Sequence, residues 1–360
     1  MGRRLALVFI LLGSLGASGQ EAKTVDAPDE EAVTASPRLN LKGFGDVNFR
    51  WSRDDDSQQN RNAFTVGQVD LFITSPLTDR IAVLAEVVGK FRRTNETVFD
   101  VERIHITYAL SDLANIRAGR MHTPLGYWNE TYHHGAWFQT TAGRPDVYAF
   151  NDVGGILPIH SVGMELFGSK SFPALDVAYN LSVMNGRGRV VTETQNVQDF
   201  NRLKAVNLLV HLSPSALPGL RLGGDLYLDK IPTTDTRRNE LNETIVGGHV
   251  VYLTGAVELL AEYLNVAHRD EVAKVGYRTQ GAYVQVAYRL DRVKPYYRFD
   301  YQSQAAGDPY FLPVDLRTRR HTVGLRWDVL VWNGIKLEGS FLNRDGVTET
   351  SVTLQTAFTF

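Results

Sequence analysis

Ser351-Val352-Thr353-Leu354-Gln355-Thr356-Ala357-Phe358-Thr359-Phe360 are the last ten residues of the sequence, and their alternation decides the class of fold. Successive side chains of an extended strand point to opposite faces. Val352, Leu354, Thr356, Phe358 and Phe360 therefore share one face, while Thr353, Gln355, Ala357 and Thr359 share the other. One face is greasy and the other is small and polar.

Working back along the chain, the same split returns. Between His321 and Trp332, Val323, Leu325, Trp327, Val329 and Val331 oppose Thr322, Gly324, Arg326 and Asp328. Tyr297, Phe299 and Tyr301 oppose Arg298, Asp300 and Gln302, and Leu39, Leu41, Val47, Phe49 and Trp51 oppose Lys42, Asp46, Asn48 and Arg50. Charges keep to one face. Segments of about ten residues with this period are expected at 38–52, 63–75, 80–91, 99–110, 115–121, 160–168, 175–184 and 203–213. They continue at 219–229, 243–253, 256–267, 277–289, 294–303, 318–330, 336–343 and 349–360. The sixteen spans are even in number, which places both termini on one side, and each is long enough to cross a bilayer when tilted.

Alternation alone also suits a soluble sandwich, whose apolar faces form a core. Three features select an all-β transmembrane antiparallel barrel of about 16 strands instead. The first is a secretory signal at 1–19, with Arg3 and Arg4, an apolar run from Leu5 to Leu12 and the small-residue exit Ala17-Ser18-Gly19. The second is aromatic enrichment at segment ends, as in Trp51, Phe91, Tyr108, Tyr252, Tyr263, Trp327, Trp332 and Phe360. The third is loop asymmetry: tight turns at Pro76–Asp79, Ser111–Ala114 and Asp291–Val293 alternate with loops of roughly eight residues or more. The acidic, Ala/Thr/Pro-rich stretch at 20–37 reads as a flexible periplasmic leader, and residues 38–360 as the barrel.

Composition narrows the functions. The 360 residues are 43% hydrophobic and carry a formal charge of -2, which argues against wholesale disorder and against a nucleic-acid binder. Zero cysteine excludes disulfides, thiolate metal sites, cysteine nucleophiles and a lipoprotein anchor. No apolar run is long enough for a transmembrane helix. Bare lipid gives backbone groups no partner, so the sheet must close, and a ring of 16 to 18 strands encloses an aqueous channel.

The longest connection, 122–159, is HTPLGYWNETYHHGAWFQTTAGRPDVYAFNDVGGILPI. A loop this long is expected to carry function. We expect it to fold inward as a constriction, its aromatic side chains against the wall and its polar ones on the ion path. His122, Glu130, His133, His134, Arg144, Asp146 and Asp152 are its candidate lumenal groups.

The run Ile116-Arg117-Ala118-Gly119-Arg120-Met121-His122-Thr123-Pro124-Leu125-Gly126-Tyr127-Trp128-Asn129 begins a motif. It continues in Tyr132-His133-His134-Gly135, Arg144-Pro145 and Gly155-Ile156-Leu157-Pro158-Ile159-His160. Together these resemble the phosphate-selective porin O/P superfamily. The resemblance is strongest over 99–168 and implies sixteen-stranded, typically trimeric channels, some of which pass anions along lysine-rich ladders.

This chain departs from such a ladder. On the polar faces, Lys42, Arg50, Lys90, Arg103, Arg117, Arg221, Arg289, Arg298, Arg326 and Lys336 are matched by Asp46, Asp70, Glu86, Glu165, Asp176, Asp225, Glu258, Glu262, Asp300, Asp328 and Glu338. The near balance predicts weak selectivity. Lumen-lining candidates are Lys42, Arg50, Arg103, His105, Arg117, Arg298, Asp300, Arg326 and Asp328, either on the ion path or as wall-stiffening pairs. Arg120 has the parity of a lipid-facing residue, and a bulge or an interfacial position would resolve it.

Glu130, His133 and His134 make a poor metal site, since adjacent side chains diverge in extended chain. Asp54-Asp55-Asp56 reads as a solvated loop tip rather than a calcium site. No metal or other cofactor is expected. The leading expectation is a passive outer-membrane porin for small hydrophilic solutes or ions, with an anion or phosphate preference as a variant of it. Its expected partners are outer-membrane lipid, two further copies in a homotrimer, and the barrel-assembly machinery, engaged through the strand ending at Phe360. A barrel enzyme of lipase or protease type would need Ser or Asp activated by His. His105, His160 and His321 are available for that, but no Gly-x-Ser-x-Gly elbow occurs. A closed structural or adhesive barrel is the remaining alternative.

Overall fold

The computed structural model describes residues 38–54, 60–91, 96–133, 135–149, 155–193, 197–200, 203–232, 240–314 and 316–360. The segments expected as signal and leader, the loop tip at Asp55-Asp56, His134 and Asp152 lie outside the described residues. The strands are β1 (Asn40–Asp54), β2 (Asn60–Pro76), β3 (Ile81–Phe91), β4 (Thr97–Ser111), β5 (Ala114–His122), β6 (His160–Ser171), β7 (Leu175–Met184) and β8 (Ala205–Pro214). They continue as β9 (Leu220–Ile231), β10 (Leu241–Leu253), β11 (Val257–Asp270), β12 (Val275–Tyr288), β13 (Val293–Ser303), β14 (Thr318–Leu330), β15 (Asn333–Arg344) and β16 (Val347–Thr359).

Each strand pairs antiparallel with its sequence neighbours, and β16 returns to β1, so the sheet closes as a barrel. The closing pair runs from Phe44 opposite Thr359 to Asp54 opposite Glu349. Gly43 and Phe360 exchange N–H···O bonds of 2.8 and 2.9 Å at its end. Closure removes the unpaired edges that lipid could not satisfy.

The expected spans match these strands to within a few residues. Loop asymmetry is less complete than expected: on the long-loop side, 271–274 and Asp345-Gly346 are tight connections. Lys274, Asp345 and Gly346 take positive φ there, which fits short hairpin turns.

The two faces divide as the alternation requires. Val352, Leu354, Val323, Leu325 and Trp327 are exposed on the outside, whereas Ser351, Gln355, Ala357, Thr322 and Arg326 are buried inside. An outer surface of this kind is one that hydrocarbon, not water, would solvate.

The main buried apolar cluster sits within the barrel. The long loop after β5 holds helix α1 (Tyr127–Tyr132) and a 3-10 turn at Asp146–Tyr148. Its Leu125, Tyr127, Trp128, Val147, Tyr148, Ile156 and Ile159 pack against wall residues that include Tyr227, Ile245, Leu260, Leu264 and Tyr283. Burying each such side chain contributes about 1.5–3 kcal/mol. The loop is therefore a packed inner layer, folded inward as expected.

Candidate functional site

After β5 the chain turns at Gly126, with φ 72°. Only glycine suits this position, because a Cβ there would lie 1.6 Å from the Tyr148 hydroxyl and 2.5 Å from Glu262 Oε2. The turn aims the first amides of α1 at the wall. Gly126 N donates to Asp225 Oδ1 at 2.7 Å, Tyr127 N to Glu262 Oε2 at 2.7 Å and Trp128 N to Glu262 Oε1 at 2.9 Å. Tyr148 and Tyr283 hydroxyls donate to the same carboxylate at 2.7 and 2.6 Å. Glu262 thus accepts four bonds while almost fully buried, which answers its own desolvation and the open amides of the helix start. Burial, reinforced by Glu262, pushes the Tyr148 phenol well above its usual range, so it remains a donor.

Irregular backbone inside a protein needs partners for every N–H and C=O. Wall carboxylates take the donors: Gly135 N bonds Asp70 at 3.1 Å, Thr140 Oγ1 bonds Glu258 at 2.8 Å, Ala142 N bonds Glu338 at 2.8 Å and Asp146 N bonds Asp300 at 3.0 Å. Wall cations take the carbonyls. Arg298 Nη1 reaches Gly143 O at 2.8 Å, Arg326 Nη1 reaches Trp137 O and Gln139 O at 2.8 and 2.7 Å, and Lys336 Nζ reaches Ala136 O and Thr141 O at 2.5 and 2.9 Å. Asn207 and Gln355 add bonds to Pro124 O and Ala142 O. These anchors come from β2, β8, β9, β11 and β13 through β16.

The sequence-derived lumenal candidates therefore fall into different environments. Arg298 with Asp300 (2.8 Å) and Arg326 with Asp328 (2.6 Å) are ion pairs, and Arg298, Asp300 and Arg326 also hold the loop. Asp328 pairs with Arg289 as well, at 2.8 Å. In the loop, Asp146 accepts from Arg320 at 3.0 Å, and Glu130 lies 3.5 Å from His211 Nε2. Arg144 stacks over Trp128 at 5.6 Å, and burial pushes its pKa down to about 10 against the pull of Glu102 and Asp70. His122 and His133 lie with His160, their ring centroids 4.2 to 5.3 Å apart. Glu130 is elsewhere, beside His211. Lys42 is exposed at the start of β1, and Arg50 pairs with Glu349 at 2.6 Å.

Arg103 and Arg117 keep water-facing surface. Arg103 pairs with Glu86, and Arg117 with Glu165 at 3.2 Å. Both arginine side chains are 19% exposed, but their carboxylate partners are 0% and 1%. The cations stand in front and the anions behind. Phe72 and Phe167 support the two guanidinium groups at 5.1 and 4.7 Å, which fixes their planes. His105, two residues from Arg103, is buried.

Simple parity missed Glu102. Glu86 faces Arg103 and Val87 faces Val101, so Glu102 is the extra residue of a β-bulge. The bulge sends consecutive charges inward: Arg103 to Glu86, Glu102 to Lys90 Nζ (2.5 Å) and His160 Nε2 (2.9 Å). Beside it, Arg120 is buried and donates from Nε to Val101 O at 2.9 Å. The parity conflict at Arg120 is met by the bulge on the adjoining strand and by Gly119 at φ 138°.

Also unforeseen is a buried network at the long-loop end. Arg187 Nε binds Glu243 at 2.6 Å, and His268 bridges Glu243 (3.0 Å) and Asp308 (2.8 Å). Arg187 additionally donates to Ile156 O, so segments near 187, 308 and 156 are joined across the lumen.

No protein-family model and no curated protein matches the chain. Solved structures do. An anion-selective porin from Comamonas acidovorans superposes with a TM-score of 0.65 at 13% identity, covering 90% of this chain and all of that one. The outer-membrane channel DcaP of Acinetobacter baumannii gives 0.63 at 12% identity over 91% and 98% of the two chains. OmpT, an outer-membrane protein of Vibrio cholerae, folded in vitro and in its trimer form, gives 0.59 at 10% identity over 89% and 99%. At these identities the likeness is one of fold.

Proposed function

We propose that this chain is a non-enzymatic outer-membrane porin through which small hydrophilic solutes diffuse passively past the edge of the inward loop. One observation carries the reading. The loop is anchored on one long arc of the wall, while Arg103 and Arg117 on β4 and β5 retain water-facing guanidinium groups. The apolar exterior supports residence in a bilayer, and export by the segment at 1–19 fits the same location. The fold is shared with an anion-selective porin and an outer-membrane channel, which supports the reading further.

Selectivity follows from charge placement. Formal charges on the wall nearly cancel, but a pair whose cation faces water and whose anion is buried leaves the positive end of a dipole toward the solute. The resulting preference is for anions, and it is weak. Phosphate specificity has no separate support in this arrangement. A homotrimer is part of the proposal, on the resemblance above and on the trimer form of the Vibrio structure; so is membrane insertion by the assembly machinery through the Phe360 strand.

Purified protein in a planar bilayer tests this. Ohmic single-channel steps with a reversal potential modestly on the anion side are expected. A bilayer that stays silent although folded protein has inserted would overturn the porin reading.

A further inference from the structure

We infer that His122, His133 and His160 form a binding site for a divalent transition-metal ion of the zinc type at the root of the inward loop. His133 and His160 are buried, and His122 is half-buried beside them. One ring nitrogen from each lies within 4.8 Å of those of the other two. His122 ends β5, His160 begins β6 directly opposite it in register, and His133 follows α1. The trio thus gathers both ends of the loop and its only described α-helix at one point.

The surroundings orient one ring as a ligand. Asn129 Nδ2 donates to the Thr123 and Ile159 carbonyls at 2.8 and 3.3 Å, which turns its Oδ1 toward His133 Nδ1, 2.7 Å away. An oxygen acceptor there makes Nδ1 carry the proton, so the lone pair of His133 is on Nε2. An outer partner of this kind, an amide oxygen on the far nitrogen, orients an imidazole ligand and raises its basicity. Glu102 Oε2 lies 2.9 Å from His160 Nε2, a charge contact on the rim of the trio.

Three imidazoles match the protein donor set of a zinc site whose fourth position an exchangeable ligand takes. Tetrahedral coordination at about 2.0–2.1 Å requires nitrogen separations of about 3.3 Å, so the rings close by side-chain rotation as the ion enters. Near the site, Glu102, Asp70 and Asp100 are balanced by Lys90, Arg120 and Arg144. The ion is held by coordination rather than by a negative field. Its presence clamps α1 to the loop's two ends.

The test uses untagged, folded full-length barrel, stripped with chelator and exposed to Zn²⁺ or Co²⁺. One ion per chain retained after gel filtration is expected, with the intense visible bands of four-coordinate Co²⁺. His133→Gln and His160→Gln should lose it, and His211→Gln should retain it. Heat-modifiable migration on gels checks that each variant folds. No stoichiometric ion, six-coordinate cobalt only, or unchanged retention in folded His133→Gln overturns the site. The cobalt spectrum of the unsubstituted protein decides the matter even if a variant fails to fold. Metal retention is read independently of current, so its failure leaves the porin reading intact, and the reverse.

Discussion

Glu262 Oε1 on β11 accepts the Trp128 amide at 2.9 Å, joining residues 134 apart in sequence and fixing the first turn of α1 against the barrel wall. Because the same carboxylate also accepts from Tyr127, Tyr148 and Tyr283, its removal leaves four buried donors without their acceptor. Leaving a buried donor unsatisfied costs about 1–3 kcal/mol. Glu262→Ala should therefore loosen the loop while the barrel, held by its sheet, stays closed. The expected readout is a larger and noisier single-channel current from protein that still shows heat-modifiable migration. An unchanged conductance would mean that this carboxylate does not set the position of the constriction.

Gly126→Ala approaches the same contact from the loop side. An alanine at φ 72° is strained by about 1 kcal/mol, and its methyl has to displace the Tyr148 hydroxyl from Glu262. The variant should share the direction of Glu262→Ala. Combining both should give less than the sum, since they break one set of bonds. Full additivity in conductance or thermal midpoint would show that two separate contacts are involved.

Much of this arrangement could be read from residues alone, and the reasons for the rest are physical. Strands such as β16 alternate cleanly because one face meets lipid and the other water, so their span and direction follow from the period of two. The inner face of β11, with Leu260, Leu264 and Val266 between Glu258, Glu262 and His268, breaks that code. Apolar residues on both faces are the mark of something docked inside and do not identify it. Glu102 was missed for a different reason: a bulge flips the parity of everything beyond it, and its mark is the one-residue slip from outward Phe99 and Val101 to outward Ile104 and Tyr108 across the polar pair Glu102-Arg103. The anchoring role of Arg298 and Arg326 was illegible, because their partners are loop carbonyls far away in sequence.

Selectivity separates the two groups of arginines. Arg103→Gln together with Arg117→Gln removes the water-facing cations and leaves Glu86 and Glu165 in place, so the reversal potential in a salt gradient should move toward cations. Arg298→Gln removes a loop anchor and should chiefly alter the size of the current. If Arg298→Gln changes selectivity and the paired β4–β5 variant does not, the ion path follows the anchored side of the loop.

Arg187 and Glu243 offer a test of the network joining the segments near 187, 308 and 156. Burial opposes the charge on Arg187, but Glu243 holds the guanidinium above its ordinary pKa, so the pair remains ionised. Arg187→Met leaves Glu243 with His268 as its remaining partner, whereas Glu243→Gln leaves the buried Arg187 guanidinium facing a neutral amide while His268 keeps Asp308. Glu243→Gln should therefore be the more damaging single change, by about 3–5 kcal/mol. The double variant should recover part of that loss, since a methionine and a glutamine carry no uncompensated charge. Limited proteolysis of folded protein gives the readout: cleavage within 188–204 should be fastest in Glu243→Gln, intermediate in the double variant and slowest in the unsubstituted chain. Equal cleavage in all of them would show that this end of the barrel is held by the packing of Tyr310 and Phe311 rather than by the ion pair.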